Sequence, residues 1–186
     1  MVLQITYYGN SVLRKKGKRI EKVTPEIQKI ADDMLETMCA YQGVGLAAQQ
    51  VGLELQMAVI DVSEAENRPS KMWINDEEVN PKDHMPMVLI NPEIELIKTK
   101  EIDGEGCLSF PNVHGDISRS KRVKVKATDR EGKQFAFEAA GLLGRAVQHE
   151  YDHLQGVLFI DRMDPQDRAK IKEEIEAVKE KYAQKS

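Results

Sequence analysis

Gln148-His149-Glu150-Tyr151-Asp152-His153 is the stretch from which the rest of the chain is read. Its surroundings predict a helix over about Gly141 to Gln155. Two histidines four residues apart then fall on one helix face, one turn above the other. Both imidazoles can reach a single metal ion, with Glu150 beside it as a candidate general base. A helix turns by roughly 100° per residue. On that wheel His149 and His153 align with Leu142 and Ala146, and Glu150 points between them and the apolar arc of Leu143, Val147 and Leu154. Gln148 and Asp152 fall on the opposite side, which is expected to be polar and solvated. The plainer alternative is a pair of histidines on an ordinary core helix. The motif is short, so it needs support from elsewhere in the chain.

The bulk properties set bounds. A chain of 186 residues is long enough for one domain, residues 1–186, with a real core. Charged residues at 31% and apolar residues at 41% describe an ordinary soluble protein. A net charge of −4 argues against a nucleic-acid groove or a basic membrane face. Two cysteines, Cys39 and Cys107, are too few for a disulfide framework and read as reduced thiols in a cytoplasm. No signal peptide and no membrane-spanning run is expected.

The remaining elements are predicted in chain order. Val2 to Arg19 reads as an irregular arm with a helical turn near Ser11 to Lys15. Thr24-Pro25-Glu26 starts a helix with a capping hydroxyl, proline in the first turn and an acid next to it. Ile27, Ile30, Ala31, Met34, Leu35 and Met38 follow at helical spacing, and Cys39 near its end is expected in the core. Gly43-Val44-Gly45 permits close backbone approach, most simply a tight turn. Met57 to Val62 is a buried strand, Ser63 to Pro86 a long loop. Met87 to Ile97 is a strand interrupted at Asn91-Pro92, where proline suits an edge or a bend. Glycines bracket Cys107, and residues 123–138 read as a hairpin. After the helix, capped by Gly156, comes a short strand over Val157 to Ile160. A last helix begins at Asp164-Pro165, with Ile171, Ile175, Val178 and Tyr182 as a narrow apolar stripe. The order implies an α+β fold: antiparallel strands packed around a central metal-binding helix, with a C-terminal helix.

Two histidines leave a catalytic metal one protein ligand short if a position stays open for water. One protease pattern places a third histidine six residues past the second, but Phe159 stands there and cannot coordinate. Another draws a glutamate from about twenty residues further on, where Glu173 stands. Cys107 is the third candidate, and a thiolate is the better ligand for soft divalent metals.

Gly43-Val-Gly-Leu-Ala-Ala-Gln-Gln50, Glu105-Gly-Cys-Leu-Ser109 and Gln148-His-Glu-Tyr-Asp-His153 resemble, in order, the three signature motifs of the peptide deformylases. Weaker similarity covers nearly the whole chain, including Val12-Leu13-Arg14 and Gly141-Leu-Leu143. The resemblance implies a metallohydrolase that removes the formyl group from the N-terminal formyl-methionine of nascent polypeptides, giving formate and a free amine. It implies Cys107, His149 and His153 as ligands of one divalent ion, ferrous in the cell, with zinc, nickel or cobalt able to substitute. It gives Glu150 the water proton, and Gln50 with the backbone N–H of Leu108 the developing oxyanion. Gly45 would pair with the substrate backbone, while Val44, Leu142 and Ala146 would shape a methionine slot. Arg145, one turn before His149, is expected at the pocket mouth on peptide carbonyls, and His114 stands where some relatives have arginine.

The function also implies work near the ribosome, for which the charged final helix is the candidate docking face. Two alternatives stand beside this reading. One is a peptidase of the same helix motif with Glu173 as third ligand. The other is a non-enzymatic ribosome-docking module with a closed metal site or none, against which Glu150 argues, since a structural site needs no base.

Overall fold

The computed structural model describes residues 1–183. The elements run α1 (Pro25–Ala40), β1 (Gly45–Ala47), β2 (Met57–Ile60), β3 (Ser70–Ile74), β4 (Glu77–Val79), β5 (Met87–Leu96), β6 (Lys100–Cys107), β7 (Phe110–Ser120), β8 (Arg122–Thr128), β9 (Gln134–Ala140), α2 (Gly141–Leu154), α3 (Pro165–Lys170) and α4 (Lys172–Tyr182). Seven strands form one antiparallel sheet in the order β1-β2-β5-β8-β9-β3-β4, and β6 with β7 forms a separate long hairpin. The expected α+β class with antiparallel pairing and a C-terminal helix is the one observed.

Two helices cover the sheet on opposite faces, and the period of two along each strand sorts its residues between them. Met57, Val59, Val88 and Ile90 pack with Ala31, Met34 and Met38 of α1. Ile60, Met87 and Leu89 pack with Leu142, Leu143, Ala146 and Val147 of α2. A strand buried on both sides needs no polar alternation, which is why Met-Ala-Val-Ile reads as a continuous apolar run. The α1 cap is Thr24, whose side chain accepts from Ile27 N.

Helix α2 packs against β1, β2, β3, β7, β8 and β9. It has no solvated face, and this corrects the helical-wheel reading. Gln148 is 4% exposed and Asp152 6%. The Gln148 amide donates to Ser120 O and Gly144 O and accepts from Ser120 N. Asp152 accepts from Arg119 and Arg162. Amphipathicity misleads here because these polar side chains are satisfied by protein groups instead of water. Two residues past the end of α2, Gly156 sits at φ +75°, where an added Cβ would lie 2.5 Å from Arg14 O.

Other expectations are revised. The stretch Ser63 to Pro86 is no simple loop. It holds β3, which pairs with β9, and β4, joined by Asn75 and Asp76, both with positive φ. That is the turn geometry hairpins favour. Arg122 lies 3.7 Å over the Trp73 ring and pins β3 to the sheet. Pro92 lies in a bend, not at an edge. The register of β5 against β8 shifts between Ile90 and Glu93, and Asn91, at φ +50°, exchanges two hydrogen bonds with the Ile20 backbone. Residues 100–107 and 110–120, unassigned from sequence, form the β6–β7 hairpin. The strand expected over Val157 to Ile160 is instead a 3-10 turn, Phe159–Arg162, at whose start Leu158 N donates to the Asp161 carboxylate. Cys39 is exposed, not a core residue. The last helix breaks at Ile171 into α3 and α4, and its expected stripe packs on Leu13, Phe110 and Ile117.

Leu143, fully buried between α2 and the sheet, is the packing test. Leu143→Ala is expected to cost about 2–5 kcal/mol in denaturant unfolding.

Candidate metal centre

The end of β6 carries Cys107 to the buried face of α2, against His149 and His153. One donor atom from each lies within 4.8 Å of the other two. Cys107 Sγ stands 3.3 Å from His153 Nε2. That is close to the sulfur–nitrogen edge of about 3.5 Å in a tetrahedral site of one ion. His149 Nδ1 bonds Glu105 Oε1 at 2.9 Å, which leaves Nε2 as its ligand atom. A thiol and two imidazoles, gathered by three separate contacts with the fold, suit a borderline or soft divalent cation. Among the described residues, these three are the group that could hold one. Glu173, the rival ligand, is exposed in the first turn of α4 and is not part of it. Phe159, in the position of a third histidine, instead sets its ring 5.9 Å from that of His149.

The electrostatics fit a cation. Glu105 receives both Arg119 Nε and Nη2, at 2.6 and 2.9 Å, and Arg145 Nη2 at 2.9 Å. Burial pushes the Glu105 carboxyl up, but hydrogen bonds from His149 and Arg119 outweigh it and hold the pKa at about 2. Burial opposes a charge on His149, yet its bonds to Cys107 and Glu105 raise its pKa well above the ordinary value. Burial drives His153 the other way, toward the neutral form that coordinates.

The family model for polypeptide deformylase matches residues 2–169. The chain belongs to the polypeptide deformylase family. It is 51% identical over 179 residues to the curated peptide deformylase of Methylacidiphilum infernorum, covering 96% of this chain and 94% of that one. The Thermotoga maritima peptide deformylase crystal structure superposes with a TM-score of 0.76 at 40% identity, over 89% of this chain and 99% of that one. A plant peptide deformylase superposes at 0.84 and 37%, over 99% and 92%. The chain is thus a metal-dependent hydrolase of the deformylase type, and the glutamate-ligated peptidase is not favoured.

A cleft of about 760 Å³ is lined by His149, Glu150, Gln50, Cys107 and Leu108, with Val44, Gly45, Leu142, Arg145 and Ala146. All the predicted site residues except His153 line this cleft. His153 lies beneath it, buried against Cys107. Burial pushes the Glu150 carboxyl up to about 7, against the charges of His149 and Arg119. Its Oε2 is buried without a partner among the described residues. Gly45 makes room for it, since a Cβ there would lie 2.5 Å from Glu150 Oε1. Gln50 Oε1 accepts from Ala47 N at 2.9 Å, which turns Nε2 toward Cys107 Sγ and Ser109 Oγ, at 3.5 and 3.3 Å.

Arg145 sits deeper than the mouth at which it was expected. It is 3% exposed, and its Nη2 also donates to Ile117 O and Asp103 O. His114 lines the cleft, with its ring against Gly106. Glu105, Arg119 and Asp152 were not foreseen. Glu105 was legible in part, lying two residues before Cys107 and so on the same strand face. Arg119 carried no local signal.

The depressed pKa of Glu105 has a measurable sign. Its ionised form stabilises the fold above pH 4.5, and that contribution, on the order of 3 kcal/mol, is lost as pH falls toward 2. Metal-free wild type and Glu105→Gln, compared by urea unfolding, are expected to differ most near neutral pH and to converge only as pH falls to about 2.

Proposed function

We propose that residues 1–186 form one catalytic domain that removes the formyl group from the N-terminal formyl-methionine of nascent polypeptides. The observation that carries this reading is that Cys107 and His149, with His153 beneath them, meet at the floor of the cleft where a Glu150 carboxylate oxygen has no partner among the described residues. Cys107 Sγ, His149 Nε2 and His153 Nε2 would hold one divalent ion around buried helix α2. We assign ferrous iron to it in the cell, with zinc, nickel or cobalt as substitutes. When bound, the ion supplies Lewis acidity and brings the pKa of a water toward neutrality.

Glu150 takes the proton of the attacking water. Its raised pKa suits it to return that proton to the leaving nitrogen as the carbon–nitrogen bond breaks. Formate and a free amine leave. Gln50 Nε2 and the Leu108 backbone N–H donate to the formyl oxygen as it gains charge, and the locked Gln50 amide needs no reorientation to do so. Strand β1 is an edge of the large sheet, so Val44 and Gly45 can take the substrate backbone as an added strand. Leu142, Ala146 and Val44 receive the methionine side chain, and Arg145 contributes its stem to the slot wall. The exposed charged face of α4 is the surface we assign to ribosome docking.

The deciding assay is formate release from formyl-Met-Ala-Ser by iron- or nickel-loaded protein. Wild type is expected to release formate, Cys107→Ala to lose metal and turnover together, and Glu173→Ala to retain both. Glu150→Gln should fall by about 10²–10⁴ in kcat, and Gln50→Ala by about a hundredfold or more. Metal-loaded wild type that cuts internal peptide bonds and releases no formate would overturn the assignment. Gly45→Ala is expected to displace Glu150 and lower kcat while the bound metal, measured by elemental analysis, stays at one per chain.

A further inference from the structure

Behind His149 runs a file of alternating charges that ends at the protein surface. His149 Nδ1 bonds Glu105 Oε1, and Arg119 holds Glu105 through Nε and Nη2. The remaining arm of Arg119, Nη1, donates to Asp152 Oδ2 at 2.8 Å. Asp152 in turn takes two bonds from Arg162, Nε on Oδ2 at 3.2 Å and Nη2 on Oδ1 at 3.0 Å. The side chains of Glu105, Arg119 and Asp152 are buried, whereas that of Arg162 is 51% exposed. Arg162 closes the turn Phe159–Arg162 that follows α2, and it does not line the cleft.

Each link in this file constrains the next. A buried carboxylate needs donors for its oxygens, and the side-chain donor to Asp152 Oδ1 is Arg162. With both Asp152 oxygens held, the carboxylate is fixed against Arg119. A guanidinium is a planar fork, so one arm cannot be re-aimed without moving the others. Arg119 Nη2 bonds the same Glu105 oxygen, Oε1, that holds the His149 ring. Arg145 Nη2 bonds the other oxygen, Oε2, and so leaves the aim of Oε1 to Arg119. The turn that carries Arg162 has an anchor of its own: Arg14 bonds both carboxylate oxygens of Asp161, and Asp161 Oδ2 accepts from Leu158 N. Loss of the Arg162 bonds is therefore separable from loss of the turn.

We propose that Arg162 is a positioning residue for the metal centre. Through Asp152, Arg119 and Glu105 it fixes the ring of His149, so a half-exposed side chain outside the cleft sets how tightly the ion is held. The turn between α2 and α3 thereby becomes part of the metal site. This rests on the metal-site reading above.

The test is cobalt affinity of the folded protein, measured by competition with a chromophoric chelator, in wild type, Arg162→Gln and Arg14→Gln. Partners bonded directly to a metal ligand are worth about 10–100-fold in affinity, and Arg162, further out along the file, is expected to cost about three- to tenfold in Kd. Arg14→Gln loosens the same turn without touching the file and is expected to bind cobalt as wild type does. In zinc-loaded protein carrying isotope-labelled histidine, the Nδ1–H resonance of His149 is expected to move in Arg162→Gln and to stay in place in Arg14→Gln. If Arg162→Gln does not fold, Arg162→Lys, which keeps the charge and loses the fork, carries the same expected direction and the same overturning result. A merely structural role lowers the unfolding midpoint and leaves both Kd and the His149 resonance unmoved, which overturns the proposal. Equal loss of affinity in Arg162→Gln and Arg14→Gln assigns the effect to the turn and overturns it too. Wild type that binds no cobalt overturns the metal site itself.

Discussion

Glu105 is the joint on which the site depends. Its carboxylate lies on β6 and is bonded by Arg119 of β7 and by Arg145 and His149 of α2. Burying such an ion network carries a large desolvation cost, which is offset only when the lone pairs and N–H groups are satisfied with good geometry. Here one carboxylate bonds three side chains, and Arg119 passes the connection to Asp152, one residue before His153. The same contacts that fix the hairpin against α2 therefore bring Cys107, two residues along β6, up to both histidines. Placement of the donors and docking of the hairpin are one event.

The two buried glutamates around His149 show how environment divides labour between identical side chains. Glu105 has two guanidinium groups within bonding distance and stays ionised to about pH 2. Glu150 lies on the other side of the helix surface, against the glycine edge of β1, with one oxygen lacking a protein partner, and is held at about 7. The first orients a ligand, and the second is matched to moving a proton near neutral pH. A swap of surroundings would leave both roles unfilled, which is why the glycine at 45 matters as much as the acid at 150.

The cleft is assembled from parts distant in the chain: the edge strand of the large sheet, the tip of the separate hairpin, the buried helix, the N-terminal arm and the end of α4. The sheet and α2 form a rigid floor, since the sheet is packed by a helix on each face. No helix among the described residues is long and apolar enough to cross a membrane.

Much was legible from local signals. Helical spacing and caps placed α1 and α2 nearly to the residue, and alternation gave the β8–β9 hairpin. The metal helix was readable because i, i+4 spacing is a local geometric fact. The β6–β7 hairpin was not, because glycines and exposed residues such as Ile102 break its alternation. The sequence by itself set His149, Glu150 and His153 at a spacing that gathers them on one helix, and left the third donor open between Cys107 and Glu173 until the resemblance to the deformylases pointed to Cys107. Only the tertiary structure decided that Gln148 and Asp152 are buried, that Arg145 lines the cleft from a buried position, and that Tyr182 lines the same cleft. These depend on partners such as Ser120, Arg119, Glu105 and Tyr7, remote in sequence. Whether a polar side chain is solvated or satisfied by protein depends on what packs against it, and periodicity along one segment carries no record of that.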